Sequence, residues 1–311
     1  MKKYPELVYS IYDRFYYPLS NFLTLNKYKL NRTDDNIEPF FIIGSGRSGT
    51  TLLRRILIQS EGVHIPPETY VLSKVVRLFR QNTGMEWENL VNLILATIEY
   101  HPEFYTFDLA NLNELSMKLK HVPPKNRSLA LILDYFYKFH AQSVNKRCTR
   151  WGDKTPYNTL FLERIDELFP KAKYIFLKRN GYDVTNSYVK SNLYSNYFDA
   201  AKRWEISNKK ALAFEKKNPE KVFSVKYEEF VSRPIKTGNE IFKFLGLDFK
   251  DHFTENNYSG KLGDVEKKKH HQNVLNKINT DSIGKGKEKI PQTDLISISK
   301  IIEPLHQKLG Y

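Results

Sequence analysis

The sequence predicts an α/β fold, a mainly parallel sheet flanked by helices and carrying a helical insertion. Three observations predict it. Short apolar runs occur at 40–43 and 174–177, and 222–225 reads as a further strand. Each leads through a turn into residues at helical spacing, the pattern of βα units in a parallel sheet. Residues 85–148 break that alternation with two helical stripes, so they read as an insertion over one end of the sheet. Apolar residues make up 41% of the 311 and aromatics 14%, enough to build a sizeable core.

The elements follow in chain order. Residues 1–39 hold clustered aromatics without a period and end in a polar connector before Pro39, so they form an N-terminal arm. Phe40, Phe41, Ile42 and Ile43 are continuously apolar, as suits a strand covered on both faces, and Gly44 closes it. Leu52, Leu53, Ile56 and Leu57 recur at helical spacing, with Arg54 and Arg55 on another face. In the insertion, Leu90, Val91, Ile94, Leu95 and Ile98 form one stripe and residues 129–139 another, separated by Pro123 and Pro124. Residues 158–169 predict an amphipathic helix stopped by Pro170, then comes the strand at 174–177 and a polar helix from Tyr182. A strand at 222–225 precedes a helix over 234–245 that Gly246 can cap. Residues 257–289, with Lys267, Lys268, Lys269, His270 and His271, read as a long basic loop. The helix over 295–309 contains Pro304 and ends before Gly310. Residues 40–311 are thus expected to form one domain.

Lysine and arginine number 49 against 35 acids, a formal charge of +14. That excess favours a polyanionic partner: nucleic acid, a phosphorylated cofactor, an acidic substrate or an anionic membrane surface. The single cysteine, Cys148, excludes an intramolecular disulfide framework and fits a reducing compartment. No apolar run reaches the roughly 18 residues a membrane helix needs, and no secretory h-region is visible, so a cytoplasmic protein without a transmembrane anchor is expected.

Gly44-Ser45-Gly46-Arg47-Ser48-Gly49-Thr50-Thr51 has the glycine spacing of a Walker A loop, with Thr50 where the lysine would stand. Such a loop between strand and helix presents backbone N–H groups to an anion, and its glycines permit close approach. The expected fold is therefore P-loop-NTPase-like. Without the lysine, and with no evident Walker B strand, the machinery for Mg-NTP hydrolysis is incomplete; Arg47 supplies positive charge in the loop. A loop of this type alone is equally an ordinary tight βα turn. Further along, Lys178-Arg179-Asn180-Gly181-Tyr182-Asp183 ends the second strand and enters a helix carrying Ser187. Arg179 and Ser187 can both reach an anion in the crevice beyond the strand ends.

With these motifs the sequence resembles the sulfotransferases that use 3′-phosphoadenosine 5′-phosphosulfate (PAPS), above all tyrosylprotein sulfotransferases and related bacterial enzymes. The resemblance runs in order from Phe40 to Tyr311. It implies that Ser45, Gly46, Arg47, Ser48, Gly49, Thr50 and Thr51 hold the 5′-phosphosulfate, and that Arg179 and Ser187 hold the 3′-phosphate. Glu68-Thr69 matches the pair that carries the general base, although alone a Glu after two prolines more often starts a helix; His64 is the nearest competitor. Trp151-Gly152-Asp153-Lys154-Thr155-Pro156 resembles the segment whose lysine stabilises charge at the transferring group, a role the resemblance gives to Lys154 with Arg47 assisting. Tyr227, in Val225-Lys226-Tyr227-Glu228-Glu229-Phe230, is similar to a tyrosine that helps enclose adenosine. Lys285, in Ser282-Ile283-Gly284-Lys285-Gly286-Lys287, resembles a C-terminal phosphate contact, while Gly286 stands where many relatives have Trp. The implied reaction takes PAPS as co-substrate, needs no metal ion, and sulfates a hydroxyl of a peptide tyrosine, a carbohydrate or a small metabolite.

Two other classes remain open from the sequence. A small-molecule kinase with a degenerate phosphate loop would bind Mg-ATP, and a non-catalytic module for RNA or another polyanion would bind with steep salt dependence. No aromatic-basic nucleic-acid motif accompanies the charge, so no specific nucleic acid is expected.

Overall fold

A computed structural model describes residues 27–32, 36–255, 262–267 and 276–311, with residues 11, 14, 15 and 19 before them. Most of the N-terminal arm, and Lys268, Lys269, His270 and His271 of the basic run, lie outside the described residues. Five strands form the sheet: β1 (Phe40–Ile43), β2 (Val63–His64), β3 (Arg150–Asp153), β4 (Lys173–Lys178) and β5 (Val222–Lys226). Their order is β2-β3-β1-β4-β5 and every pairing is parallel. β1 is central, pairing Phe41 with Asp153 on one side and with Tyr174 on the other.

The period of two sorts the central strands between two apolar layers. Phe41, Ile43, Tyr174 and Phe176 enter one core cluster, whereas Phe40, Ile42, Ile175 and Leu177 enter the other. Both faces are covered by helices, which explains why these runs are apolar without alternation. The layer on the Phe40 side includes α1 (Thr50–Leu57), which follows the glycine loop. After α2 (Leu72–Gln81), the insertion between β2 and β3 consists of α3 (Trp87–Glu99), α4 (Asn113–Lys120) and α5 (Leu129–Ser143). Ser128 caps α5 by accepting from the Leu131 N–H at 3.1 Å.

The predicted helix over 158–169 is shorter than its pattern. A 3-10 turn covers Pro156–Phe161 and α6 is only Leu162–Leu168, because Thr159 is drawn out of the helix. Its hydroxyl donates to the Gly44 carbonyl and accepts from the Gly44 N–H, each at 2.9 Å. α7 (Gly181–Lys190) starts at Asn180, whose side chain accepts from the Tyr182 and Asp183 N–H groups. Next comes α8 (Tyr197–Lys217), absent from the sequence reading, which buries Ala200, Ala201, Trp204 and Ala211. α9 (Tyr227–Ser232) precedes α10 (Pro234–Leu245), and Gly246 ends α10 at φ 71. The basic segment contains two short helices, α11 (Asp264–Lys267) and α12 (Gly286–Lys289). α13 (Gln292–Leu309) continues through Pro304 and closes on Gly310 at φ 82. No helix among the described residues is long and apolar enough to cross a membrane.

Asp153, at the end of β3, ties the sheet to its surroundings. It is 1% exposed and accepts from the Tyr137 hydroxyl at 2.7 Å, the Thr69 hydroxyl at 2.9 Å and the Asn158 amide at 2.9 Å. Burial raises its pKa against the opposing pull of those donors. Asp153→Ala would strip three buried donors of an acceptor, each loss being worth about 1–3 kcal/mol. We expect urea denaturation to show a stability loss of roughly 3 kcal/mol or more; a loss below about 1 kcal/mol would show that these donors re-pair elsewhere.

Candidate active site

β1 is the point at which the chain order in the sheet reverses, with β3 on one side and β4 on the other. Open α/β sheets bind ligands in the crevice beyond the strand ends at such a point. Three segments leave the sheet there: the glycine loop after β1, Lys154-Thr155 after β3, and Arg179-Asn180 after β4. The first and the last of these border a cleft of about 1300 Å³ whose lining includes Gly46, Arg47, Glu68, Arg179, Ser187 and Tyr227.

The glycine loop delivers the N-terminus of α1 to this cleft. Gly49 lies at φ 89, and any Cβ there would run into the ring of Tyr227. Arg47 also adopts a left-handed backbone, φ 64, without being glycine, a form of strain that collects at functional sites. Its Nε donates to Ser187 Oγ at 3.1 Å. Burial, and then the nearby Arg179 guanidinium, pull the Arg47 pKa down. The Ser48 hydroxyl is buried with no hydrogen-bond partner among the described residues, and Arg179 Nε is in the same condition. Two buried, unsatisfied donors beside a helix N-terminus are a fitting receptacle for anionic oxygen.

Arg179 is held on three sides. Its guanidinium donates to the Arg47 carbonyl at 2.9 Å and to the Ser282 carbonyl at 3.0 Å, and lies 4.1 Å from the centroid of the Tyr227 ring. The Tyr227 hydroxyl is 3.0 Å from Ser282 Oγ. The C-terminal wall is anchored by Asp183, which accepts from the Gly284 N–H at 2.8 Å and the Gly286 N–H at 2.7 Å. A Cβ on Gly286 would lie 2.5 Å from Asp183 Cα. A bulky residue cannot take that place in this arrangement, which accounts for glycine where a tryptophan would be usual. Lys285 is exposed on the cleft wall.

Glu68 and Lys154 meet in a buried ion pair, Lys154 Nζ donating to Glu68 Oε1. Lys154 also stands 3.5 Å from Asp264 Oδ2, and Asp264 in turn pairs with Arg54 of α1. Glu68 lines the cleft, whereas Lys154 is 1% exposed and lies behind it. His64 does not reach the cleft. Its Nε2 is 2.8 Å from His140 Nδ1, and burial together with the His140 ring depresses its pKa to about 2. Of the two base candidates, the structure therefore places only Glu68 beside the phosphate loop.

Several cleft residues escaped the sequence reading. Tyr70 donates its phenol to Glu68 Oε2, and Glu103, Tyr157, Tyr194 and Arg203 line the cleft further out. Position next to Glu68-Thr69 was the one signal for Tyr70; Glu103, Tyr157, Tyr194 and Arg203 sit outside any motif.

The comparisons agree with this architecture. The model of the "Sulfotransferase family" matches residues 39–251. The chain is 25% identical over 285 residues to "Protein-tyrosine sulfotransferase 1" of Danio rerio, covering 87% of this chain and 71% of that protein. It is 25% identical over 300 residues to "Protein-tyrosine sulfotransferase A" of Caenorhabditis elegans, covering 90% and 70% respectively. Among solved structures it is similar to the sulfotransferase domain of the Synechococcus PCC 7002 olefin synthase, with a TM-score of 0.58, 28% identity, and coverage of 87% of this chain and 97% of that one. With a family model spanning both the phosphate loop and the Arg179 segment, on a parallel sheet of the P-loop-NTPase-like kind, the chain belongs to the sulfotransferase family.

Proposed function

We propose that the protein transfers a sulfuryl group from PAPS to an acceptor hydroxyl, with Glu68 as general base. The observation that carries this reading is the convergence of the glycine loop, Arg47, Arg179 with its unpartnered Nε, and the Glu68 carboxylate in one cleft, with the unpartnered Ser48 hydroxyl in the same loop. Bound PAPS would supply the sulfuryl group and the leaving phosphate. Ser45 to Thr51 and the amides opening α1 meet the 5′ end, and Arg179 with Ser187 holds the 3′-phosphate. The Arg47–Ser187 hydrogen bond joins these two halves of the anion site. Tyr227 and Lys285 enclose the nucleotide. Glu68 takes the proton of the acceptor hydroxyl, and Lys154, one hydrogen bond behind it, contributes charge stabilisation together with Arg47.

The acceptor enters beside Glu68, where residues of the 85–148 insertion such as Glu103 also border the cleft. Similarity to protein-tyrosine sulfotransferases favours a tyrosine phenol, with carbohydrate or metabolite hydroxyls sharing the same chemistry. The reading is tested by calorimetry with 3′-phosphoadenosine 5′-phosphate (PAP). We expect PAP to bind at least about tenfold tighter than adenosine 5′-phosphate, since charge-assisted hydrogen bonds to the 3′-phosphate are the strong ones. Equal affinities, or preferential binding of Mg-ATP, would overturn it in favour of a kinase.

A further inference from the structure

Tyr70 follows Glu68-Thr69 with φ 55, a left-handed backbone that bulky residues seldom adopt. Its ring stacks on His101, with centroids 5.6 Å apart and planes 9° from parallel. The phenol hydroxyl donates to Glu68 Oε2 while Lys154 donates to Oε1, so both carboxylate oxygens are engaged. Lys154 approaches from the buried side and does not line the cleft, whereas Tyr70 does. The oxygen available to a hydroxyl in the cleft is thus the one already holding a phenol.

We propose that Tyr70 caps the Glu68 carboxylate until an acceptor hydroxyl displaces it, and so suppresses loss of the donor to water. The inference rests on the sulfotransferase reading above, in which Glu68 is the base. In the reaction that the cap opposes, water gives a proton to Glu68 and its oxygen bonds to sulfur. The sulfur–oxygen bond to the 5′-phosphate breaks, leaving sulfate and PAP. A phenol–carboxylate hydrogen bond is charge-assisted and strong; it takes up one of the two lone pairs of Oε2 and lowers the basicity of that oxygen toward a water proton. A bound acceptor replaces the bond with an equivalent one and adds its own contacts in the cleft, an advantage that free water lacks. Burial, and then the neighbouring Glu68 carboxylate, push the Tyr70 pKa up; the phenol therefore stays protonated, a donor rather than a nucleophile.

The full chain and its Tyr70→Phe variant are incubated with PAPS without acceptor, and PAP release is followed. Release should rise about tenfold in the variant, the scale of one hydrogen bond to a charged group, whereas a residue that merely orients the base would give a fall. Unchanged or slower release, with PAP affinity preserved, would overturn the cap and leave the sulfotransferase reading standing. If neither protein binds PAP, that reading fails and the cap with it. Sulfate found on Tyr70 by mass spectrometry would also overturn the proposal, by making the residue an acceptor. The contact has an activity-independent readout in protein labelled with carbon-13 at tyrosine Cζ. The resonance that disappears in Tyr70→Phe should shift in Glu68→Gln; an unmoved resonance means no such hydrogen bond and ends the proposal.

Discussion

Glu68→Gln is expected to retain PAP binding while acceptor sulfation falls by about two orders of magnitude or more, the scale for loss of a positioned base. The exchange is close to isosteric. A glutamine oxygen can still accept from Lys154, and its amide can turn toward the Tyr70 oxygen, so the buried surroundings keep their packing. What disappears is the capacity to receive a proton. Glu68 is 8% exposed, which keeps bulk water from replacing it as base. Single-turnover sulfation with bound donor separates this from a binding effect, and an unchanged rate would remove Glu68 from the mechanism.

Arg179→Ala is expected to weaken PAP binding by roughly 2–4 kcal/mol, or about 30- to 1000-fold, as when one partner of a buried, hydrogen-bonded charge contact is truncated. The same variant should lose far less affinity for adenosine 5′-phosphate, which lacks the 3′ group. Arg179→Lys should not restore binding, because an ammonium cannot reproduce the planar donors aimed at the Arg47 and Ser282 carbonyls or the stacking on Tyr227. Equal weakening of both nucleotides in calorimetry would detach Arg179 from the 3′-phosphate.

How much of this was readable beforehand depended on whether the determining interactions were local. β1 and β4 announce themselves because both their faces are covered, which demands uninterrupted apolar residues, whereas β5, at the sheet edge, buries only Val222 and Val225 and is interrupted by Ser224. β3 does not. Its sequence, Arg150-Trp151-Gly152-Asp153, has no apolar run, and Gly152 is there because the Phe40 ring packs over it from the adjacent strand. β2 is two residues long, too short for any period to register. The phosphate loop and the Arg179 to Ser187 spacing were legible because each is set by one turn and one helix. The partners that complete the site were not: Asp183 grips Gly286 across 103 positions, and Arg54 meets Asp264 across 210. Such pairings follow from topology, and neither member carries a local mark of the other.

The placement of Arg47 against Arg179 has a thermodynamic consequence. Two guanidiniums are held near one another, partly withdrawn from water, with a strained backbone at the first of them. In the ligand-free protein this is repulsion stored by the fold, and it subtracts from folding stability. The two anionic groups of the proposed donor would offset that repulsion, so binding and folding would be linked, and ligand at a hundred times its dissociation constant would add about 2.7 kcal/mol to the native state. Under the proposed reaction, PAPS would then be a structural component of the native state as well as a reactant.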